Sequence, residues 1–222
     1  MKKHFLLFIS LSILIGNLSA QISHNFWDDI QTIKKYDKIY QVPDNPILFV
    51  GSSSIRKWDD LQVVFGKYNV INRGVGGAVI DDITYYIDDL IFAYKPRQIV
   101  LYVGENDLPA ENKTPDTILN KTISLYKLIR TKLPDVSILY IALKPSPVRD
   151  KYLEKCIKTN NLIRDYFKAE ENVTFIDIVP LMLQKGKPRT ELFQQDMLHM
   201  KPNGYALWEK AIEPHLLKSI KR

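Results

Sequence analysis

The sequence predicts a three-layer α/β/α sandwich built on a five-stranded parallel sheet, with the flavodoxin-like strand order 2-1-3-4-5. Five short apolar runs are spaced along the chain, and a helical pattern of apolar residues follows each run. Three of the runs end in loops of glycine and polar residues. The helices between the runs can serve as the long crossover connections that parallel strands need, because a tight turn joins only antiparallel neighbours.

The first two elements are a helix and a buried strand. Residues 26–40 carry apolar side chains at helical spacing, as expected for an amphipathic helix packed outside the sheet. Residues 47–50 are apolar at every position, which is typical of a strand buried on both faces. Residues 55–65 then space their large apolar side chains as a helix does. A second strand is predicted at residues 68–71, and a helix at residues 80–93.

The second half of the chain repeats this alternation. A strand at residues 97–103 precedes a helix that Thr114 caps and Pro115 begins, extending to about residue 133. The remaining predicted elements are strands at residues 136–143 and 173–178, a helix at residues 151–170 and a final helix from residue 202 to about residue 220.

The chain length and the first residues indicate one exported domain. A length of 222 residues suits a single domain, and 45% hydrophobic with 25% charged residues is typical of globular proteins. We predict a cleaved export signal at residues 1–20, because Lys2 and Lys3 precede an apolar segment that ends at a small-residue cleavage site. An uncleaved membrane anchor is the alternative. Residues 21–222 would then form the single domain.

Charge and cysteine usage exclude several partners. Removal of Lys2 and Lys3 lowers the formal net charge from +6 to +4, and the other lysines are spread over several helices. This pattern argues against a nucleic-acid partner. The single cysteine, Cys156, cannot form an intrachain disulfide and has no companions for a metal site. We expect no metal, no other cofactor and no stable membrane insertion after signal cleavage, while the oligomeric state stays open.

Small or polar residues follow three of the predicted strands where those strands end. Serines 52–54 follow the first strand, Gly77 lies in the loop after the second, and Asn106 follows the third. The carboxyl ends of parallel strands lie at one edge of the sheet, where α/β folds bind ligands, so these residues are expected to share a site. Asp196 and His199 follow the fifth strand and can fold back over the same edge.

These residue types suit nucleophilic acyl transfer. A serine hydroxyl is a weak nucleophile until a base removes its proton, and a neutral imidazole such as that of His199 is the usual base near neutral pH. Asp196 can hold that imidazole in one tautomer and stabilise its cation. The backbone N–H of the serine, that of the glycine loop and an asparagine amide are three possible donors for an oxyanion.

Each feature also has a simpler interpretation. The serines can cap the following helix. The glycine-rich loop can be a tight turn, or the phosphate cradle of a flavodoxin-like nucleotide binder, although it lacks the lysine-and-hydroxyl ending of a phosphate loop. Asn106 can belong to an ordinary turn, and His199 can be a surface histidine beside a capping Asp196. The combination of features favours the hydrolytic site.

Four sequence blocks follow predicted strands in the order GSSSI, NRGVGG, GEND and DMLH. This order resembles the SGNH hydrolases, the superfamily of GDSL-type lipases and esterases, over about residues 46–215. The resemblance implies that Ser53 is the nucleophile, His199 the general base and Asp196 its partner. It also implies that Ser53, Gly77 and Asn106 form the oxyanion hole.

The first block departs from the superfamily pattern, because Ser52 stands where an aspartate is usual. That aspartate is not the acid of the triad, so activity is still expected, while the hydrogen bonding of the loop is left open. The expected function is a periplasmic or extracellular serine esterase that acts through an acyl-serine intermediate. Acetyl esters of carbohydrates are the first choice of substrate.

The resemblance leaves two kinds of alternative open. Within enzymes, the superfamily also includes lysophospholipases, thioesterases and enzymes resembling platelet-activating-factor acetylhydrolase. From a different class, the chain can be a catalytically inactive binding module on the same fold.

Overall fold

The computed structural model describes residues 24–218, so the predicted export signal at residues 1–20 lies outside the described part. The strands of the main sheet are β1 (Ile47–Gly51), β2 (Val70–Gly74), β3 (Gln98–Tyr102), β4 (Ser137–Ile141) and β5 (Val173–Ile176). They are all parallel and lie in the order β2-β1-β3-β4-β5. The predicted fold class and strand order are confirmed.

Helices cover both faces of this sheet. They are α1 (Trp27–Ile39), α2 (Ser53–Arg56), α3 (Leu61–Val64), α4 (Ile80–Tyr85), α5 (Ile87–Leu90), α6 (Pro115–Lys132), α7 (Leu153–Phe167), α8 (Val179–Met182) and α9 (Pro202–Ile212). A short hairpin of β6 (Leu183–Gln184) and β7 (Lys187–Pro188) follows α8. None of the helices within residues 24–218 is long and apolar enough to cross a membrane.

The side chains of each strand alternate between two hydrophobic cores. Leu48 and Val50 of β1 belong to the core that α1, α4, α5, α6 and α7 cover. Ile47 and Phe49 face the opposite core, which α2, α3, α8 and α9 cover. Side chains buried on both faces explain why β1 is apolar at four successive positions.

The predicted cap of α6 is confirmed in detail. The Thr114 hydroxyl accepts a hydrogen bond from the Thr117 N–H at 3.2 Å, and Pro115 is the first helical residue. Proline is tolerated there because the first N–H groups of a helix have no intrahelical acceptor.

The predicted second strand was displaced by two residues. Residues 66–68 form a 3₁₀ turn that Asn69 closes with φ 57°, so β2 begins at Val70. The strand continues to Gly74, which pairs with Gly51 of β1. Part of the glycine-rich block assigned to a loop is therefore strand, because pairing with β1 satisfies its backbone groups.

Two predicted helices are divided, and the final one ends well before its predicted end. The helix predicted at residues 55–65 splits into α2 and α3, since the chain turns to bury the Trp58 ring against Phe49 and Phe65. The helix predicted at residues 80–93 splits into α4 and α5 followed by a 3₁₀ turn. The final helix ends at Ile212, because Pro214 has no N–H to continue the ladder of hydrogen bonds.

Candidate active site

The turn from β1 into α2 presents the serines at the carboxyl edge of the sheet. Gly51 has φ 147°, and a Cβ atom at this position would lie 1.8 Å from the carbonyl oxygen of Tyr102 in β3. Only glycine permits this approach. The Ser52 N–H donates to the same oxygen at 2.9 Å. Ser52 occupies the N-cap position without a side-chain capping bond, and Ser53 begins α2 half-buried.

The loop after β2 is tied to α2 by Asn72. The Asn72 Oδ1 atom accepts from the Gly74 N–H at 2.9 Å, and its Nδ2 donates to the Ile55 carbonyl at 2.7 Å. Gly77 has φ 87°, a conformation that side-chain-bearing residues rarely adopt. The ring of Phe26 lies 3.8 Å from the point where a Gly77 Cβ would be. Sequence reasoning used Asn72 only as the start of a block and missed its tethering contacts.

Asn106 lies in the 3₁₀ turn that follows β3. Its Nδ2 donates to the Ala78 carbonyl at 3.0 Å, and its Oδ1 accepts from the Arg149 guanidinium at 2.8 Å. Because Ala78 is the residue after Gly77, the structure brings the loops after β2 and β3 into direct contact. This is the convergence that the positions of the strand ends predicted.

Asp107, the last residue of the same turn, is fully buried and holds the turn to α4. Its carboxylate accepts from the Ile80 N–H at 3.2 Å and from the Lys113 ammonium at 2.6 Å. Burial raises the pKa of Asp107, and the two donors only partly offset it. The Asp107 side chain is therefore a structural support for the loops and is not placed to act on a substrate.

A buried ionic network lies behind Asn106, and sequence reasoning did not anticipate it. The Glu105 carboxylate accepts hydrogen bonds from Lys144, from the Tyr102 hydroxyl at 2.6 Å and from Ser146 at 3.3 Å, and it pairs with Arg149 at 2.9 Å. Burial favours protonation, but the two cations outweigh it and hold the pKa of Glu105 below its ordinary value. Removing one partner from such a buried pair typically costs about 3–5 kcal/mol.

Asp196 and His199 lie in a loop that two buried side chains anchor. Phe193 and Met200 form an isolated antiparallel bridge, and both side chains are buried in the core under α9. Asp196 Oδ1 accepts from the N–H groups of Leu198 and His199, both at 2.9 Å. Its Oδ2 lies 2.6 Å from His199 Nδ1. The loop therefore holds the carboxylate and the imidazole together.

The contact with Asp196 selects the tautomer of His199. Burial favours protonation of Asp196, but hydrogen bonds from the His199 ring and from two backbone N–H groups outweigh it and hold the pKa of Asp196 well below its ordinary value. An ionised carboxylate only accepts hydrogen bonds, so Nδ1 carries the proton. In the neutral ring, Nε2 is then the atom with a free lone pair.

The imidazole of His199 contacts the side chain of Lys57, the residue that follows α2. Lys57 Nζ is 3.4 Å from His199 Nδ1, and the Lys57 N–H donates to the Ser53 carbonyl at 2.9 Å. Within residues 24–218, the Ser53 hydroxyl makes no hydrogen bond to the His199 ring. Hydrogen bonds between a nucleophile and its base are often long before substrate binds. The roles assigned to Ser53 and His199 stay predictions.

Neither a metal cluster nor the cysteine offers a different chemistry in the described part of the chain. Among residues 24–218, no group of three or more His, Cys, Asp or Glu side chains is placed to hold a metal ion. The Cys156 thiol is buried and donates to the Leu143 carbonyl, and burial raises its pKa to about 12. A thiol that stays protonated is a poor nucleophile.

The fold of this chain, a parallel sheet in the order β2-β1-β3-β4-β5, is shared with solved structures of GDSL-like lipases. The chain belongs to the GDSL-like lipase/acylhydrolase family, whose model matches residues 47–207. This confirms the resemblance inferred from the four sequence blocks, and it makes the chain a relative of carboxylic ester hydrolases. No curated protein sequence matches the chain.

Solved structures of distant relatives share the fold. A Streptococcus pneumonia protein provisionally described as a platelet activating factor has a TM-score of 0.75 and 22% identity, covering 86% of this chain and 92% of its own. A GDSL-like lipase from Bacteroides thetaiotaomicron has a TM-score of 0.71 and 17% identity, covering 85% and 97%. A variant of an acetyl xylan esterase from Geobacillus stearothermophilus has a TM-score of 0.60 and 15% identity, covering 82% and 100%. At these identities, the likeness concerns the fold alone.

Proposed function

We propose that this protein is an exported serine esterase that hydrolyses carboxylic esters through an acyl-Ser53 intermediate. The observation that carries the proposal is the 2.6 Å contact between Asp196 and His199, on a loop whose imidazole contacts the side chain of Lys57 at the end of α2. Membership of the acylhydrolase family supports the same reaction class.

In the proposed first half-reaction, the Ser53 hydroxyl attacks the ester carbonyl. Its proton moves to Nε2 of His199 as the bond between Oγ and the carbonyl carbon forms. The imidazolium is stabilised by Asp196, which keeps Nδ1 protonated throughout. Collapse of the tetrahedral intermediate breaks the bond to the leaving alcohol, and His199 returns the proton to that oxygen.

In the proposed second half-reaction, water replaces the alcohol. His199 takes a proton from water as the water oxygen attacks the acyl-Ser53 carbonyl. The second tetrahedral intermediate then releases the carboxylic acid and returns the proton to Ser53. Atoms and protons balance over the cycle, which consumes one ester and one water.

The negative charge that develops on the carbonyl oxygen is proposed to be met by three donors. Ser53 is the first residue of α2, so its backbone N–H has no intrahelical acceptor. The Gly77 N–H lies in the adjoining loop, and Asn106 Nδ2 has a second N–H beyond the one donated to Ala78. Losing one such donor typically slows turnover by about a hundredfold to a thousandfold.

Acetyl groups on carbohydrate are the proposed substrate. The fold is shared with an acetyl xylan esterase from Geobacillus stearothermophilus, and an exported enzyme meets polysaccharides outside the cell. A phospholipid ester is the second candidate, which the likeness to the protein described as a platelet activating factor favours.

We expect wild-type protein to hydrolyse p-nitrophenyl acetate with a kcat/KM about tenfold or more above that for the palmitate ester. The esters are compared with the butyrate under one detergent condition, with the rate of Ser53→Ala protein subtracted. Acetate release from acetylated xylo-oligosaccharides is then compared with release from an sn-2 acetyl phospholipid. Faster turnover of palmitate or of the phospholipid would contradict the carbohydrate substrate, and no turnover of any ester would favour the inactive binding module.

Export is proposed from the pattern of residues 1–20. When the full-length chain is expressed in a bacterium, the protein recovered outside the cytoplasm is expected to have the intact mass of a chain whose first residue is Gln21. Full-length protein retained in the membrane fraction would instead support an uncleaved anchor.

A further inference from the structure

Arg149 contacts both Asn106, a proposed oxyanion donor, and Glu105, which has no role in the proposed mechanism. It lies in the 3₁₀ segment between β4 and α7, and its side chain is 16% exposed. One guanidinium nitrogen donates to Asn106 Oδ1 at 2.8 Å. Another donates to the Glu105 carbonyl at 3.0 Å and pairs with the Glu105 carboxylate at 2.9 Å. The guanidinium therefore contacts the backbone and side chain of Glu105 and the side chain of Asn106.

The chemistry of arginine dictates which way the Asn106 amide faces. A guanidinium has N–H donors and no acceptor, so only the amide oxygen of Asn106 can face it. The Ala78 carbonyl, 3.0 Å from Nδ2, accepts only from an N–H and selects the same orientation. The two contacts together leave one Asn106 N–H without a partner. A flipped amide would direct its oxygen at Ala78 and at any anion nearby.

The rigidity of Arg149 comes from the buried network behind it. Glu105 is 3% exposed and holds Arg149 through its carboxylate and its carbonyl oxygen. Lys144, Tyr102 and Ser146 also donate to that carboxylate. A planar guanidinium held at two points loses little further freedom when it binds a third group. The orientation of Asn106 is thus set from the buried side of the loop.

The segment that carries Arg149 also contacts the loop of the proposed acid and base. The Val148 N–H donates to the Met197 carbonyl at 3.1 Å, and Met197 lies between Asp196 and His199. The two sides of the candidate site are therefore connected through residues 148 and 149.

We infer that Arg149 is a positioning residue that orients the Asn106 amide for the developing oxyanion, an inference that rests on the proposed esterase function. Arg149 acts through Asn106 and does not itself touch the reacting atoms. Its removal is expected to weaken transition-state stabilisation and to leave ground-state binding of the ester nearly unchanged.

The test compares Arg149→Met, Asn106→Ala and the double variant on p-nitrophenyl acetate. Arg149→Met is expected to lower kcat by about 10- to 100-fold, less than loss of the Asn106 donor itself, with KM within about threefold of wild type. In the Asn106→Ala background, the same change is expected to have almost no further effect, because the group that it orients is gone. The matched control is Arg164→Met, which replaces a partly exposed arginine on α7 that pairs with Asp165 and is expected to keep wild-type rates.

Arg149→Lys extends the test to variants that keep the charge. A lysine can donate to Asn106 or pair with Glu105 but cannot span both as a fork does, so an intermediate kcat is expected. Urea midpoints are measured for every variant. Arg149→Lys decides the question if Arg149→Met does not fold.

Three outcomes would overturn the inference. The first is an unchanged kcat in Arg149→Met or, if that variant does not fold, in Arg149→Lys. The second is a double variant in which the effects of the two substitutions multiply. The third is a change confined to KM, which would indicate that Arg149 contacts the substrate. Fluorophosphonate labelling separates this failure from failure of the esterase proposal. If only the role of Arg149 is wrong, the wild-type protein is still labelled at Ser53, whereas an absent label would remove the esterase proposal itself.

Discussion

Replacement of Ser53 by alanine is expected to lower kcat/KM for p-nitrophenyl acetate by about 10⁴- to 10⁶-fold. The reason is that the acyl-enzyme route requires the Oγ atom, and the oxyanion donors alone provide only a small residual rate. The same variant is expected to lose all labelling by a fluorophosphonate probe, measured by intact mass. The fold is expected to persist, because the contacts that hold the end of β1 against Tyr102 are made by the backbone of Gly51 and Ser52 and do not involve the Ser53 side chain.

The neighbouring serines are matched controls for this prediction. The Ser54 hydroxyl is buried without a hydrogen-bond partner, so Ser54→Ala removes no hydrogen bond. The Ser52 contact with Tyr102 is made by its backbone N–H, which alanine keeps. Both variants are expected to label and turn over substrate within about threefold of wild type. Labelling of Ser53→Ala protein at Ser52 or Ser54 would identify a different nucleophile.

Replacement of His199 by alanine is expected to lower kcat by about 10⁴- to 10⁶-fold, because the proposed mechanism has no other group to take the proton of Ser53. The anchors of the loop are Phe193 and Met200, whose contacts do not involve the His199 ring. The urea midpoint of the variant is therefore expected to stay close to that of wild type. Turnover and unfolding are measured on the same preparations.

His215→Ala is the matched control for the histidine prediction. His215 is exposed beyond α9, outside all four sequence blocks, and its substitution is expected to leave turnover unchanged. A His199→Ala enzyme that keeps near-wild-type rates would remove this residue from the mechanism. Loss of folding in His199→Ala but not in His215→Ala would instead assign it a structural role.

Local sequence signals were sufficient to predict two elements, the start of α6 and the strand β1. Thr114 and Pro115 marked the start of α6 because a cap hydroxyl and an N1 proline both serve unsatisfied N–H groups, which is a local effect. The continuous apolar run of β1 was equally clear, since only a strand covered on both faces needs it.

Boundaries set by distant contacts could not be predicted in the same way. Residues 55–65 have helical spacing, but Trp58 packs against Tyr205 and Trp208 of α9, about 150 positions later in the chain, and the helix breaks there. Burial of a large aromatic ring outweighs local helical preference, and spacing along the chain carries no information about such a partner.

In the candidate site, too, some residues could be proposed from local sequence signals and others depend on distant contacts. Ser53, Gly77 and Asn106 could be proposed from sequence because each follows a strand, and strand ends of a parallel sheet share one edge. The network of Glu105, Lys144 and Arg149 was missed. Glu105 is separated from Lys144 and Arg149 by about 40 positions in the chain, and no local pattern links it to them.

By itself, the sequence determined the parallel sheet, its strand order and the loops that carry the candidate chemistry, because alternating apolar runs and helices leave few ways to bury both faces. Only the tertiary structure decided how those groups are oriented. The proton on His199 Nδ1 depends on the Asp196 oxygen beside it, and the direction of the Asn106 amide depends on Arg149, 43 positions away. Hydrogen-bond orientation is a property of donors and acceptors in space, and it exists only once the chain has folded.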